Sequence, residues 1–319
     1  MHRRHFLASA ASLTLGPAFG QSSSGGPLRL VFPFPAGGAG DAMARFLADE
    51  LRAALDRPVL VENRTGAAGR IGVQSVKESG EGASLLLTPS APMVVYPHLY
   101  PSLGYEPARD FLPLARVAAF EMAIVAGPTM PVRSVTELQQ WLKANPAKAS
   151  YGTPGAGTLA HLVMSALGSH WALPLVHVPY RGTPPALVDV ASGELALACS
   201  AIGELLPAHK AGRVRILATS GSERSAFAPE IPTLRESGVP FTALNWYGVY
   251  APVKAPQELT MRASTALLAT VRSDGFRQKA LALGFQPAPA DGDALARLQQ
   301  EELRFWGDVI RAGNIRVES

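Results

Sequence analysis

From residue 28 onward, short apolar runs alternate with amphipathic stretches. Residues 28–34, 59–62 and 85–88 predict strands, and 42–55 and 71–79 between them predict helices. This βαβαβ order implies a parallel sheet with helices on its faces. A second series follows, with strands at 149–152, 175–178, 195–200 and 214–219 and helices at 135–144, 159–167, 185–191 and 204–211. Pro146, Gly193 and Gly212 fall at element ends, as stop signals should. Two apolar runs, 114–127 and 243–251, bracket the second series and suit a pair of strands crossing between two α/β lobes. The remainder, 257–310, is helical by pattern and must pack back on one or both lobes. The expected division is 28–120 with 251–319 as one lobe and 121–250 as the other.

Two glycine loops interrupt this pattern in the same way. Pro35-Ala36-Gly37-Gly38-Ala39-Gly40-Asp41 lies between a strand and a helix, and so does Thr153-Pro154-Gly155-Ala156-Gly157-Thr158. Aligned on Gly-Ala-Gly, each ends in an N-cap type of residue, Asp41 or Thr158. A glycine turn feeding a helix N-terminus gathers free N–H groups at the positive end of the helix dipole. Two such loops, one per half, suggest two lobes closing on one small anion. Asp41 is expected to cap its helix first and to meet a ligand ammonium second. Thr153 and Thr158 offer hydroxyls, and His161 stands one turn into the second helix. Ser90 follows a strand C-terminus, on the side where ligands sit in open α/β sheets.

Other chemistries fit less well. Gly38-Ala39-Gly40 with Glu62 approaches a dinucleotide fingerprint, but Met43 holds the place of the third glycine and Pro33 and Pro35 interrupt the turn. No Gly-Lys-Ser/Thr follows either loop, and there is no G-x-S-x-G, no H-E-x-x-H and no helical pair of histidines at metal spacing. Cys199, the single cysteine of 319 residues, excludes an intrachain disulfide and multi-cysteine metal sites, and its apolar run predicts a buried thiol. In the loop 62–72, Arg64 is expected to pair with a neighbouring acid, and Trp246 and Tyr247 to be core or to wall a pocket.

Composition adds a location. Arg3-Arg4 followed by Phe6-Leu7, a weakly apolar stretch and Ala18-Phe19-Gly20 reads as an export signal over 1–20, of the twin-arginine or plain secretory type, cleaved near Gly20. Residues 21–27 read as a flexible leader. Losing Arg3 and Arg4 lowers the formal charge from +4 to +2, too little to argue for nucleic acid. With 47% hydrophobic and 17% charged residues, large cores are available, and no later segment is long and apolar enough for a membrane anchor.

An ordered set of motifs carries a resemblance. Phe34-Pro35-Ala36-Gly37-Gly38 with Asp41 and Ala44-Arg45 opens it, then Val61-Glu62-Asn63-Arg64 with Gly66 and Gly69-Arg70-Ile71-Gly72. Pro97-His98-Leu99-Tyr100, Asp110-Phe111, Tyr151-Gly152 with Gly155, Gly157 and His161-Leu162, and Pro179-Tyr180-Arg181-Gly182 follow. Ala218-Thr219-Ser220, Ile231-Pro232-Thr233, Trp246 with Gly248, and Ala251-Pro252 continue it. The chain resembles the Bug-type periplasmic solute receptors of the tripartite tricarboxylate transporter family. The resemblance implies a two-lobed, type II-like periplasmic-binding-protein fold with two crossing strands, no enzymatic activity and no cofactor. It also implies glycine loops that give backbone N–H groups to a ligand carboxylate. The candidate contacts are Phe34, Ala36, Gly37, Gly38, Ala39, Asp41, Ser90, Thr153, Gly155, Ala156, Gly157, Thr158 and His161. The implied partners are a di- or tricarboxylate, amino acid or aromatic acid and the membrane permease, with the receptor acting as a monomer. Arg181 stands where lysine is usual, and Glu81-Gly82-Ala83-Ser84 and Pro92 also depart from the pattern, so one wall of the cleft can differ. The alternatives are an exported cofactor-dependent oxidoreductase using the first loop, and a solute sensor feeding a kinase.

Overall fold

A computed structural model describes residues 26–80, 82–313 and 315–317, so the expected export signal and most of the leader lie outside the described residues. In chain order the elements are β1 (Leu28–Phe32), α1 (Ala39–Leu55), β2 (Val59–Asn63), α2 (Arg70–Lys77) and β3 (Ser84–Pro89). Three single-turn helices, α3 (Ala91–Val94), α4 (Tyr96–Leu99) and α5 (Pro107–Asp110), lead into the long strand β4 (Phe111–Ala126). Then come α6 (Val135–Ala144), β5 (Ser150–Thr153), α7 (Leu159–Trp171), β6 (Val176–Pro179), α8 (Thr183–Ser192), β7 (Leu197–Ala201), α9 (Ile202–Lys210) and β8 (Arg215–Thr219). The chain ends with β9 (Leu244–Pro252), α10 (Gln257–Val271), α11 (Asp274–Ala282), β10 (Gln286–Asp291) and α12 (Gly292–Ala312).

The strands run β2-β1-β3-β9-β4-β7-β5-β6, with β10 and β8 each also pairing with β4. Strand β4 belongs to two sheets. Its first part, from Phe111 to Glu121, pairs antiparallel with β9, and its last part, from Met122 to Ala126, pairs with β7. The first sheet keeps β1 parallel to β2 and β3, and the second keeps β5 parallel to β6 and β7. On the return path the Ser220 N–H donates to the Met122 carbonyl and the Ala243 N–H to the Ser220 carbonyl, at 2.8 Å each.

Helix α1 shows why the sequence takes this form. Met43, Ala44, Leu47, Ala48, Leu51 and Leu55 recur at helical spacing and are all buried. Each large side chain hidden this way contributes roughly 1.5–3 kcal/mol. Strand β3, with Leu85, Leu86 and Leu87 at its centre, is buried along its whole length, as a central strand between covered layers must be.

The tail departs from the helical expectation for 257–310. Gln286–Asp291 is a strand that pairs antiparallel with the first part of β4, with a register shift between Pro287 and Ala290. Two prolines remove its helical signal, yet a strand that pairs on one side only tolerates them, since on its open side no ladder N–H is required. Among the described residues no helix is long and apolar enough to cross a membrane.

Candidate functional site

The two glycine loops share one geometry. Gly37 (φ 92°) and Gly157 (φ 76°) adopt the left-handed backbone that glycine takes without cost from a Cβ. The next residue, Gly38 or Thr158, is extended and is the N-cap. Three residues later a side chain reaches back over the turn. The Gly37 N–H donates to Asp41 Oδ2 at 3.0 Å, and the Gly157 N–H donates to His161 Nδ1 at 3.1 Å. The structural equivalence is therefore Gly37-Gly38-Ala39-Gly40-Asp41 with Gly157-Thr158-Leu159-Ala160-His161, three residues away from the alignment on Gly-Ala-Gly.

This corrects two expectations. Asp41 is not the N-cap of α1 but its third helical residue, and its buried carboxylate also accepts from Arg45 Nε and Asn63 Nδ2, both at 3.0 Å. Burial would raise its pKa, but the bonds from Gly37, Arg45 and Asn63 outweigh it and hold the carboxyl below its ordinary value. Those bonds make Asp41 a residue that shapes the loop, and it is not among the residues lining the cleft. Thr158 does occupy the N-cap position, but its hydroxyl donates to the Gly155 carbonyl at 2.8 Å, and α7 has no side-chain cap.

Between the loops lies a cleft of about 730 Å³, counted with its open mouth. The β1–α1 side contributes Phe34, Pro35, Ala36 and Gly38, and the β5–α7 side contributes Pro154, Thr158, Leu159 and Ala160. Phe120, Met122 and Tyr247 form its apolar wall, with Thr183, Ser200 and Asn245 as polar points. Phe120 and Tyr247 pack against each other at 4.8 Å between ring centroids. Glu204, on α9, is the one charged side chain among the described cleft residues. Its carboxylate does not point at open space. The Ala39 N–H donates to Glu204 Oε1 at 2.7 Å, and the Gly40 N–H also bonds this carboxylate. Burial raises its pKa, and those two N–H groups pull the other way.

The sequence-predicted residues therefore divide. Phe34, Ala36, Gly38 and Thr158 line the cleft, whereas Gly37, Ala39, Gly155 and Gly157 are not among its lining residues. Ala156 and His161 face a separate cavity behind α7, with Tyr151 and His177. There the His161 and His177 rings stack at 4.0 Å, 11° from parallel. The Thr153 hydroxyl is buried, bonding the Gly155 carbonyl at 3.0 Å and His177 Nε2 at 2.7 Å. Burial depresses His161 to a pKa of about 4. Burial, with the neighbouring His161, depresses His177 to about 3. Ser90 is fully buried; its N–H donates to Asn245 Oδ1 at 3.1 Å, and its hydroxyl has no partner. Arg64 pairs with Glu62, and Trp246 donates its indole N–H to Glu302 at 3.0 Å while Tyr247 turns to the cleft. Arg181 borders a neighbouring groove with residues 65–69, not the cleft.

Residue reasoning missed Glu204 as a site residue, along with Phe120 and Met122 on the cleft wall. The signal for Glu204 was faint: an acid in the first turn of a predicted helix, where capping explains it without tertiary structure. Cys199 is buried and inert, its thiol pushed up by burial. Among the described residues no cluster of three or more His, Cys, Asp or Glu could hold a metal ion.

The chain is similar to known proteins over most of its length. The model of the tripartite tricarboxylate transporter family receptor matches residues 43–315. Protein BugT of Bordetella pertussis is 30% identical over 316 residues, 98% of this chain and 96% of its own. The structure of periplasmic binding protein BugD superposes with a TM-score of 0.86 at 30% identity, covering 92% of this chain and 99% of that one. The structure of R. palustris Rpa4515 with adipate gives a TM-score of 0.87 at 27% identity, over 91% of this chain and 98% of that one. These relatives are binding receptors and not enzymes, and the chain belongs to the tripartite tricarboxylate transporter receptor family, as a Bug-type solute-binding protein of α/β periplasmic-binding-protein fold.

Proposed function

We propose that the cleft binds a small carboxylate solute, and that closure of two lobes, 28–120 with 251–319 against 121–250, presents the solute to a membrane permease. The observation that carries this reading is the start of α7. Its first-turn N–H groups have no side-chain cap, and Leu159 and Ala160 line the cleft. Uncapped N–H groups at the positive end of a thirteen-residue helix favour an anion without any charged side chain. The cleft holds no Lys or Arg among its described residues, so backbone N–H groups are its means of receiving a carboxylate. The adipate held by Rpa4515, a relative over nearly the whole chain, supports the same chemistry. Solute contacts from both loops favour the closed state, and binding energy shifts that equilibrium. Export by residues 1–20 would put a monomeric receptor in the periplasm beside its permease.

The test is a thermal-shift screen of the purified protein against mono-, di- and tricarboxylates, aromatic acids and amino acids. A solute at 100 times its Kd adds about 2.7 kcal/mol and raises Tm by several degrees. Gly155→Val should abolish that shift while leaving the fold intact, because a Cβ there lies 2.9 Å from Ala68 Cβ, in the loop after β2, and pushes that loop and the second glycine loop apart. A screen in which no carboxylate raises Tm would refute the reading.

A further inference from the structure

The two helix starts that face each other across the cleft are built alike but occupied differently. At α7 the second and third residues after Gly157 are uncapped. At α1 the equivalent pair, Ala39 and Gly40, already holds a carboxylate, that of Glu204. The fit depends on the chain at that point. A Cβ on Gly38 would stand 2.6 Å from Glu204 Oε1 and 2.8 Å from Oε2, so the missing side chain is the space the carboxylate fills. The Gly37 N–H of the same loop is spent on Asp41 at 3.0 Å. Glu204 comes from α9, 165 residues from Ala39, so this is a tertiary contact and not local capping.

We propose that Glu204 sets the charge of the solute: its carboxylate stands where a second solute carboxylate would bind, so the cleft takes monocarboxylates with an apolar body and rejects dicarboxylates. This rests on the reading of the cleft as a carboxylate site. A monocarboxylate at the start of α7 lays its uncharged remainder against Phe34, Phe120, Met122 and Tyr247, which offer no donor for a second charge beyond the Tyr247 hydroxyl. A dicarboxylate whose far charge reaches the start of α1 lies beside Glu204, in a cleft with no basic side chain among its described residues to separate the two. Like charges in such a setting repel strongly, and selectivity arises from that repulsion as much as from the apolar wall.

The test uses matched pairs that differ by one carboxylate, hexanoate against adipate and benzoate against terephthalate, titrated by calorimetry into wild type, Glu204→Gln and Glu204→Ala. Wild type is expected to bind the monocarboxylate of at least one pair ten-fold or more tighter than its dicarboxylate. In Glu204→Ala, which empties the start of α1, the dicarboxylate should gain at least ten-fold relative to its partner. Glu204→Gln, of the same size and still able to accept from Ala39, should narrow the ratio without opening the site, and it keeps the test valid if the alanine variant folds poorly. Equal binding of the two members by wild type, or a ratio unmoved in the variants, overturns the role of Glu204 while leaving a carboxylate site standing. No binding of any probe to wild type or variants removes the carboxylate reading and this inference with it. Tighter binding of an α-amino acid than of either pair, lost in Glu204→Gln, would instead make Glu204 a partner for an ammonium group and also overturns the proposal.

Discussion

The histidine pair behind α7 should make the second glycine loop acid-labile. His161 accepts from the Gly157 N–H through Nδ1, a bond that requires that nitrogen to be unprotonated. His177 stacks on it and meets the Thr153 hydroxyl, which in turn holds the Gly155 carbonyl. Both folded-state pKa values are depressed, to about 4 and about 3, from an ordinary value near 6.5. The unfolded chain therefore takes up protons first on acidification. Stability from the pair is complete above pH 6.5 and is lost as pH falls below it, until the folded values are reached. At pH 5 each imidazole is about 1.5 pH units below its unfolded pKa, a loss of about 2 kcal/mol for His161. His177, also neutral in the fold at pH 5, adds about the same again, so the pair loses about 4 kcal/mol.

Glu302 acts in the opposite direction. Burial raises its pKa to about 7, against the bonds from Trp246 and Trp306 and the charge of Arg116. A carboxyl raised above its unfolded value gains stability as pH falls from about 7 towards 4.5, so the two effects offset each other in the wild-type curve. A single Tm profile is therefore uninformative, and the assay must be differential. Urea unfolding of wild type and a His161→Gln/His177→Gln variant is measured at pH 7.5, 6.0 and 5.0. The variant should be destabilised at pH 7.5, and its deficit should shrink by about 4 kcal/mol at pH 5.0. A deficit that stays constant with pH would refute the assignment of neutral, buried imidazoles. As a control, Glu302→Gln should show the reverse trend, standing better against wild type at pH 7.5 than at pH 5.0.

Two further substitutions test how the loops and cores are assembled. Gly203→Ala places a Cβ 2.0 Å from the Leu283 carbonyl oxygen, in a contact between backbones that cannot yield cheaply. It should cost about 1–3 kcal/mol or more in urea unfolding, and no change would mean that α9 and the 283–284 turn are not packed this closely. Asp41→Ala leaves the Gly37 N–H and the Asn63 amide without their carboxylate acceptor and should cost about 1–3 kcal/mol. An unchanged midpoint would show that water replaces those bonds.

Much of this architecture was legible because strand and helix periods are written locally. The strands of both series and the two long apolar segments, 114–127 and 243–251, fall within a few residues of their predicted places, and of these two it is β4 that pairs in both sheets. β10 was not legible: Gln286-Pro287-Ala288-Pro289-Ala290-Asp291 has neither alternation nor β-branched residues, and only pairing with β4 makes it a strand. The site was half legible. Both glycine loops could be read, but not the register at which each helix begins, because Gly-Gly-Ala-Gly-Asp admits several starts. The positive φ of Gly37 and Gly157 decides it. Glu204 was hidden for a different reason: its partner is set by how two sheets meet, and no local spacing reports that.

The equivalence of the loops explains why one chain uses an aspartate and a histidine for the same task. Each must accept one backbone N–H from the residue before the N-cap without upsetting the charge of the cleft. At α1 the ionised Asp41 is balanced by Arg45, which bonds it at 3.0 Å, and the helix start then receives the Glu204 charge from across the cleft. At α7 the reaching group is an imidazole, facing a cavity that Arg316 also lines. A second carboxylate there would repel an incoming anion at close range, whereas a buried neutral imidazole accepts the same bond and adds no charge. The positive end of α7 is left uncancelled for the solute, and the low pKa of His161 follows from the burial that keeps it neutral. On this argument His161→Asp should preserve the turn, since the equivalent geometry is realised at Asp41. It should nevertheless weaken carboxylate binding by ten-fold or more, read by calorimetry with the tightest probe. Undiminished affinity would show that the charge behind the loop is screened from the site.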